Sequence, residues 1–353
     1  MVEFKRIGVL TSGGDAPGMN AAVRAVTRTA LSKGVEVMGI YNGYKGLMEK
    51  DMKLFHMTDV SNIISRGGTT LYSARCLEFK EEWGMQLAVA NCKECKIDGI
   101  VAIGGDGTFR GATDLSVRGV PCIGIPATID NDISSTDYTI GFDTAMNTVV
   151  DLVDKLRDTC ESHARCNVVE VMGNGAGDIA IQCGLAVGAI AIAVGEIPFD
   201  EDKAIERILA AREKGKRNFI VVVSEGKKGF AEAFTKKIQE VTNIEARFTR
   251  LGHVQRGGSP TLRDRVTASL MGKYAVEALL DGKSDLVVCE KNGDITSMDI
   301  RLALSIDRMF KGKMTQDEMA KLAPDTLAMM EQACKERAER KMRIYDAARE
   351  ICK

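Results

Sequence analysis

The chain has 353 residues, 45% of them hydrophobic and 27% charged, which argues against a disordered, fibrous or membrane protein and predicts about two globular domains. Its 48 Lys and Arg residues nearly balance 49 Asp and Glu residues, and the net charge of −1 gives no reason to expect nucleic acid or a membrane surface as a partner. Any anionic ligand is therefore expected to bind a local cluster of cationic side chains.

The N-terminal residues lead directly into a predicted strand, without an apolar leader, and we expect a cytoplasmic protein. The longest uncharged stretch, residues 179–195, is short for a membrane span and is interpreted as a buried helix followed by a strand. The ten cysteines have no regular spacing, which predicts reduced thiols rather than a disulfide framework.

Short apolar runs, each followed by a turn and an amphipathic stretch, recur along the chain. A helix is predicted at residues 19–32, after the first run. The apolar runs, which predict buried strands, are residues 7–11, 99–103, 122–125, 168–172, 189–194, 219–223 and 286–289. Strands that alternate with helices predict an α/β fold with parallel sheets flanked by helices, and such sheets bind ligands at the carboxyl ends of their strands.

Two glycine-rich turns follow predicted strands early in the chain, at residues 13–15 (GGD) and 104–107 (GGDG). Backbone N–H groups in such turns, together with the next helix N-terminus, can cradle phosphate. Many α/β turns carry glycine only because it adopts positive φ, so one turn alone is weak evidence. Asp106, between the glycines of the second turn, is the predicted Mg²⁺ ligand.

A third turn, residues 128–132 (TIDND), follows the predicted strand at 122–125. Asp130 and Asp132 lie two positions apart, where paired carboxylates can divide a general-base role from an electrostatic or metal-binding one. The alternative is that both residues only cap turns and helix starts. Three such turns at successive strand ends favour a site of phosphoryl transfer.

Cationic residues complement these turns. His253 and Arg256 occupy a glycine-bounded loop, residues 251–260 (LGHVQRGGSP), and Arg165 and Arg247 adjoin other strand-like runs. Arg binds phosphate in a bidentate manner, so their number and setting favour a sugar-phosphate site.

The last part of the chain has a different composition. Residues 315–353 are rich in Glu, Lys, Arg, Ala and Met and contain no glycine, which predicts one or two exposed helices. They are interpreted either as a solvated helical appendage or as a contact between subunits.

In combination, these motifs resemble those of the bacterial-type 6-phosphofructokinases. The matching segments, in the same order over roughly residues 5–310, are 8–24 (GVLTSGGDAPGMNAAVR), 103–108 (IGGDGT), 128–132 (TIDND), 137–142 (DYTIGF), 168–173 (VVEVMG) and 251–260. The resemblance implies a homotetramer that transfers the γ-phosphoryl group of ATP to the 1-hydroxyl of fructose 6-phosphate in glycolysis, with Mg²⁺. It also implies two lobes, residues 1–140 with 252–310 for ATP and residues 141–251 for sugar phosphate and effectors. Residues 311–353 would form a C-terminal helical extension.

The resemblance assigns roles to individual residues. Asp130 would be the base that takes the 1-hydroxyl proton, with Asp132 beside it, while Arg75 and Thr128 offset charge on the transferring group. The residues that would line the nucleotide are Gly14, Arg75, Cys76, Gly105, Asp106, Gly107 and Thr108. Those that would bind the sugar phosphate are Thr128, Ile129, Asp130, Met172, Gly173, Asn174, Glu225, His253, Val254, Gln255 and Arg256, with Arg165 and Arg247 reaching the phosphate from a neighbouring subunit.

The chain departs from the family pattern near the substrates. Gly107 is the residue of ATP users, where pyrophosphate users have Asp, whereas Ala127 replaces the Gly of most ATP users. Asn174 replaces an Arg beside the sugar, and Tyr72 replaces a small residue. The balance favours ATP, and the loss of one cation predicts weaker sugar-phosphate binding or altered regulation.

The effector site of the family is only partly present. The cations that match positions holding ADP or phosphoenolpyruvate are Arg24, Arg28, Arg157, Lys214 and Lys216. Met57 and Ile190 replace an Arg and a Glu of that site. Because Ile190 cannot hold a metal ion, the usual allosteric control is not predicted.

Three alternative functions stay open at this point. The same fold can use pyrophosphate as the phosphoryl donor, or a relative can bind sugar phosphate without turnover as a regulatory subunit. Residues 175–177 (GAG) with Ala180 also fit a loose dinucleotide fingerprint, which leaves a nicotinamide-dependent oxidoreductase as a minor alternative.

Overall fold

The computed structural model describes residues 4–352; Met1–Glu3, in the predicted ATP-binding lobe, and Lys353, in the predicted C-terminal extension, lie outside the described residues. The chain divides into two compact units. The first unit contains the described residues up to Ile129, with Ile133–Thr144 and Arg256–Cys334. The second unit contains Asp130–Asp132, Ala145–Gln255 and the described residues from Lys335 onward, so the C-terminal segment is shared between the units.

Strands and helices alternate along most of the chain. The strands are β1 (Arg6–Thr11), β2 (Glu36–Ile40), β3 (Met52–Phe55), β4 (Gly99–Gly104), β5 (Cys122–Pro126), β6 (Cys166–Val171), β7 (Ala191–Ala193), β8 (Phe219–Ser224), β9 (Ala246–Arg250), β10 (Leu286–Lys291) and β11 (Asp294–Asp299). The helices are α1 (Met19–Ser32), α2 (Tyr44–Glu49), α3 (Glu82–Glu94), α4 (Asp106–Val117), α5 (Phe142–His163), α6 (Asp178–Ala186), α7 (Glu201–Glu213), α8 (Phe230–Thr242), α9 (Leu262–Leu280), α10 (Ile300–Phe310), α11 (Gln316–Met319) and α12 (Pro324–Ile351).

The first unit is built on a seven-stranded sheet in the order β11-β10-β5-β4-β1-β2-β3. Its inner strands are parallel, whereas β3 and β11 pair antiparallel at the two edges. Strands β4 and β5 are buried along their whole length, which explains their continuous apolar runs. The chain order reverses beside β1, and open α/β sheets bind ligands where the order reverses in this way.

The second unit contains a four-stranded sheet in the order β7-β8-β6-β9, and all of its strands are parallel. Its core is formed by β6, β7 and β8 packed against α7 and α8, with Phe219, Phe234 and Ile208 almost fully buried. The prediction of an α/β fold with parallel sheets flanked by helices is therefore confirmed, as is the helix followed by a strand within residues 179–195.

The strands that the apolar runs did not predict lie at sheet edges or beside them. The strand β9 (ARFTR) borders only β6, and β11 (DITSMD) borders only β10. Edge strands face water on one side and need fewer apolar side chains, so they lack the pattern that identifies a buried strand.

The C-terminal residues form helices α11 and α12, as predicted, but α12 is not simply a solvated appendage. Its buried residues are Met330, Lys341, Tyr345 and Ala348, and Cys352, directly after the helix, is also buried. All ten cysteines are free. Within residues 4–352, no helix is long and apolar enough to span a membrane.

Candidate active site

The three predicted turns follow neighbouring strands of the first sheet. Because β5, β4 and β1 are adjacent and parallel, their carboxyl ends lie side by side. The Ser12 amide donates to the Ile103 carbonyl at 3.0 Å, and the Ala127 amide donates to the Gly104 carbonyl at 2.9 Å. These backbone bonds join each turn to the next, so the phosphate-binding motifs predicted from separate segments form one edge.

Two glycines of the second turn are not required by the packing of the chain. A Cβ atom added at Gly105 or Gly107 would meet no atom of the protein within 4 Å, and neither glycine has positive φ. Gly104 differs, since its Cβ would approach the Ser12 carbonyl to 2.3 Å. The open space beside Gly105 and Gly107, at the start of α4, fits a ligand phosphate at a helix N-terminus.

Asp106 and Thr108 follow these glycines in the first turn of α4. The Asp106 carboxylate accepts bonds from Arg110 Nε at 3.2 Å and Nη2 at 2.8 Å, and its side chain is 28% exposed. The Thr108 hydroxyl donates to the Ser12 carbonyl at 3.1 Å and is buried. Thr108 therefore joins the first two turns through its side chain. Its backbone amide donates to the Gly105 carbonyl at 2.9 Å, and its backbone carbonyl accepts from Tyr44 Oη at 2.5 Å.

Arg75 and Cys76 belong to a segment of the chain that lies beside the first turn. Ser73 Oγ donates to the Gly13 carbonyl at 2.6 Å, which holds this segment beside the turn. Arg75 is exposed and makes no hydrogen bond or ion pair with a described residue, so its guanidinium is available to an anion. Burial raises the pKa of the Cys76 thiol, whose sulfur lies 3.6 Å from Met48 Sδ.

Arg256 approaches the first turn directly. Its Nη1 donates to the Asp15 carbonyl at 3.3 Å, and a Cβ atom at Gly14 would lie only 2.8 Å from the same nitrogen. The absence of a side chain at Gly14 therefore leaves room for the guanidinium beside the turn. The structure thus brings together Gly14 and Arg256, which the resemblance had assigned to the nucleotide and the sugar respectively.

The third turn combines buried and accessible groups. The Thr128 carbonyl accepts from Thr139 Oγ1 at 2.7 Å, and the Ile129 side chain is fully buried, which leaves only its backbone for a ligand. Asp130 is 7% exposed, and Asn131 has a left-handed backbone with φ +48°. Asp132 is half-buried.

In the second unit, a loop at the carboxyl end of β6 brings several predicted sugar-binding residues together. Glu225 Oε1 accepts from the Gly173 and Asn174 amides at 3.2 and 2.8 Å, and Gln255 Oε1 accepts from the Met172 amide at 3.2 Å. Gly173 has φ +145° and its Cβ would lie 2.4 Å from the Ala176 carbonyl, so only glycine fits. Gln255 belongs to a 3₁₀ turn at Gly252–Arg256, in which His253 and Val254 are exposed.

Arg165 and Arg247 lie at the opposite end of the same sheet. Arg165 immediately precedes β6, and Arg247, near the start of β9, pairs in register with Asn167. Both guanidiniums bond to the Glu245 carboxylate, Arg165 Nε at 2.7 Å, and the Arg165 bond is the main cause of the lowered pKa of Glu245. One chain therefore does not bring these two arginines to the loop at the carboxyl end of β6.

The predicted effector cations are divided between the units. Arg24 and Arg28, both on α1, belong to the first unit, and burial together with Arg28 lowers the pKa of Arg24. Arg157, Lys214 and Lys216 belong to the second unit, where burial and the Arg157 charge lower the pKa of Lys216. The two replacements differ in burial, since Met57 is 39% exposed and Ile190 only 2% exposed.

Sequence reasoning missed Asp264, a fully buried carboxylate at the start of α9. Its Oδ1 accepts from Tyr138 Oη at 2.5 Å and the Gly141 amide at 2.7 Å, and its Oδ2 accepts from the Thr144 amide at 2.9 Å and hydroxyl at 2.5 Å. Burial raises the pKa of Asp264. An acidic residue three positions after Thr261 is expected at any helix start, so its pattern did not identify this role.

The first unit is an open α/β sheet whose strand order reverses beside β1, with three glycine- or aspartate-rich turns at the carboxyl ends of adjacent strands, the arrangement found in proteins that bind phosphorylated ligands. A family model described as phosphofructokinase matches residues 6–279. The chain is 56% identical over 307 residues to ATP-dependent 6-phosphofructokinase 1 of Clostridium perfringens, with 87% of this chain and 96% of that protein covered. It is 54% identical over 297 residues to the ATP-dependent 6-phosphofructokinase of Bacillus subtilis, with 84% and 93% covered.

A solved structure of phosphofructokinase from Saccharomyces cerevisiae is similar to this chain with a TM-score of 0.82 and 31% sequence identity. The match covers 93% of this chain and 50% of the yeast chain, so the present chain spans about half the yeast length. The chain belongs to the phosphofructokinase family, and the resemblance found in its motifs is confirmed.

Proposed function

We propose that this chain is an ATP-dependent 6-phosphofructokinase, which transfers the γ-phosphoryl group of ATP to the 1-hydroxyl of fructose 6-phosphate in the cytoplasm. The observation that carries the proposal is the meeting of three phosphate-type turns at the ends of β1, β4 and β5, in a chain of this family. Relatives with 54–56% identity that are named ATP-dependent support ATP as the donor.

The nucleotide phosphates are proposed to bind at the open space beside Gly105 and Gly107. The N-terminus of α4 would face the phosphates there, where the helix dipole favours negative charge, and the exposed Arg75 would add a cation that offsets charge on the transferring group. This arrangement suits phosphoryl transfer, whose catalysis consists mainly of positioning and electrostatic stabilisation.

Asp106 fits the role of Mg²⁺ ligand. It is a partly exposed carboxylate beside that open space, and its bonds to Arg110 form an i,i+4 surface pair of the kind that contributes little stability. Among residues 4–352, no group of three or more His, Cys, Asp and Glu side chains is placed to hold a metal ion. Mg²⁺ needs no such group, because it binds through one or two carboxylates, substrate phosphates and water. When bound, it would neutralise charge on the β- and γ-phosphates.

Asp130 is proposed to take the proton of the attacking 1-hydroxyl, with Asp132 beside it. A carboxylate that is 7% exposed is shielded from bulk water, which strengthens its interaction with a substrate hydroxyl. The loop formed by Met172, Gly173 and Asn174, held by Glu225, is proposed to orient the sugar.

The separation of Arg165 and Arg247 from that loop supports the proposed homotetramer. Both lie at the amino ends of β6 and β9, whereas the loop lies at the carboxyl end of β6. In a tetramer with shared sites, each chain would contribute these arginines to the 6-phosphate bound by a neighbour. The mass of the active enzyme by light scattering tests this assembly.

The decisive test is turnover of fructose 6-phosphate with Mg²⁺, with ATP and pyrophosphate offered in parallel and the bisphosphate product detected directly. We expect product with ATP and none with pyrophosphate. Product with pyrophosphate alone would overturn the assigned donor, and a folded protein that forms no product with either would favour a non-catalytic binding subunit.

Gly107→Asp is expected to raise the KM for ATP about tenfold or more, because the new carboxylate would repel the nucleotide phosphates. The open space at position 107 accommodates the side chain, so the unfolding midpoint should change little. Gly107→Ala is the matched control, since it adds a Cβ atom without charge. An equal KM for ATP in both variants would contradict the assignment of this space to the nucleotide.

A further inference from the structure

The C-terminal helix α12 carries a row of residues on one face that belongs to the second unit. These residues, which recur every three or four positions, are Arg337, Lys341, Tyr345 and Ala348. The phosphofructokinase family model ends at residue 279, well before this helix. Its role is therefore not set by the motifs that identify the family.

Lys341 anchors this face. Its ammonium lies 2.8 Å from Asp178 Oδ2 and 2.6 Å from Glu196 Oε1, and the side chain is only 8% exposed. A lysine buried to this extent and paired with two carboxylates is costly to displace, because removing either partner leaves an uncompensated charge. Further along the helix, Tyr345 Oη donates to the Ile192 carbonyl at 3.4 Å. The helix is thus fixed to β7 and to the start of α6.

Arg337 lies one helical turn before Lys341 on the same face. Its Nη2 donates to the backbone carbonyl of Asn131, and the guanidinium also lies 3.8 Å from Asp178 Oδ1. The Arg337 side chain is 12% exposed, so its hydrogen bond is largely shielded from water. The carbonyl that it holds belongs to the peptide between Asn131 and Asp132.

This peptide has an unusual backbone. Asn131 adopts φ +48°, a left-handed conformation that is unfavourable for most residues, although Asn tolerates it better. Such a conformation persists when the surroundings over-determine it. A charge-assisted hydrogen bond from Arg337 to the carbonyl supplies one such constraint, at the residue that separates Asp130 from Asp132.

We infer that Arg337 is a positioning residue, through which the C-terminal helix holds the 130–132 turn so that the Asp130 carboxylate faces the hydroxyl that it deprotonates. The inference rests on the proposed function. It assigns no contact between Arg337 and substrate, so the residue acts on the rate of the chemical step rather than on substrate binding. A misplacement of about 1 Å in a reacting group can lower a rate about 10²-fold.

Arg337→Gln is the test. We expect kcat to fall about 10- to 100-fold, with the KM values for ATP and fructose 6-phosphate changed less than about twofold. Guanidinium ion added at millimolar concentration should restore part of kcat, and Arg337→Lys should lie between wild type and Arg337→Gln, since an ammonium offers one donor in place of a fork. Arg337→Lys also serves as the test if the Gln variant does not fold.

Arg343→Gln is the matched control. Arg343 is exposed on the same helix and makes no hydrogen bond or ion pair with a described residue, so its variant should keep wild-type kcat. Wild-type kcat in Arg337→Gln, or an equal loss in Arg343→Gln, would overturn the positioning role alone. A fall in kcat that guanidinium and Arg337→Lys both fail to restore would also overturn it, because that pattern indicates general damage to the fold. Absence of turnover in the wild-type enzyme would instead overturn the proposed function, and the positioning role with it.

Discussion

Asp130→Ser is expected to lower kcat for fructose 6-phosphate about 10²- to 10⁴-fold, the range that a general base usually contributes. Fructose 6-phosphate should still bind with a Kd within about threefold of wild type, because the base acts mainly in the transition state. Asp130 is 7% exposed in a turn whose backbone is held at Asn131, so the smaller Ser should not rearrange its neighbours. Steady-state kinetics and calorimetric titration measure the two quantities.

Asp158→Ser is the control for this variant, since Asp158 is exposed on α5 in the same unit and its carboxylate makes no described contact. It should keep kcat within about twofold of wild type. A kcat close to wild type in Asp130→Ser would mean that another group removes the proton. Asp132 would then be the first residue to substitute. A parallel loss of sugar binding would instead assign Asp130 to substrate recognition.

Asp264→Ala is expected to lower the free energy of unfolding by about 3–5 kcal/mol, the largest effect on stability that we anticipate. The substitution removes a buried carboxylate that accepts four hydrogen bonds, and it leaves the Gly141 and Thr144 amides without their acceptor in a buried environment. Because these donors lie at the start of α5, the segment that follows the third turn should loosen first. Denaturant unfolding measures the change, and hydrogen exchange locates it.

Asp281→Ala tests the same residue type at the other end of the same helix. Asp281 is the exposed C-cap of α9, and its loss should change the free energy of unfolding by less than about 0.5 kcal/mol. Similar unfolding curves for Asp264→Ala and wild type would mean that water replaces the lost carboxylate, and the hydrogen-bond network would then contribute little to stability.

Much of the fold was readable from the sequence because its central strands are buried on both faces. The runs at β4, β5 and β8 are continuously apolar, and their predicted bounds differ from the observed ones by one residue. The turns after β1, β4 and β5 were also predictable. One glycine- or aspartate-rich turn has several explanations, but three such turns at the ends of successive strands favour a phosphoryl-transfer site. Edge strands such as β9 were missed because half-exposed strands lack a continuous apolar run.

The assignments to single residues were less complete. The expectation that Thr108 lines the nucleotide stays a prediction, and the structure adds that its hydroxyl donates to the Ser12 carbonyl. The predicted roles of the sugar-binding and effector residues stay predictions, and the structure adds that Arg165 and Arg247 lie away from the loop at Met172. The sequence did not identify Asp264 as the acceptor of a buried hydrogen-bond network, because its partners, from Tyr138 to Thr144, lie more than a hundred positions away in the chain.

By itself, the sequence determined the α/β class, the family and the chemistry available at the ends of three strands, because these depend on local patterns of apolar, glycine and acidic residues. Only the tertiary structure decided what the C-terminal helix contacts. The composition of residues 315–353 indicates a charged, exposed helix. In the structure, however, Lys341 is buried against Asp178, and Arg337, whose side chain is 12% exposed, donates to the Asn131 carbonyl. A charged side chain is buried only where a partner compensates its charge or accepts its hydrogen bonds. Here the partners are more than a hundred positions away in the chain, so no local sequence pattern reveals the burial.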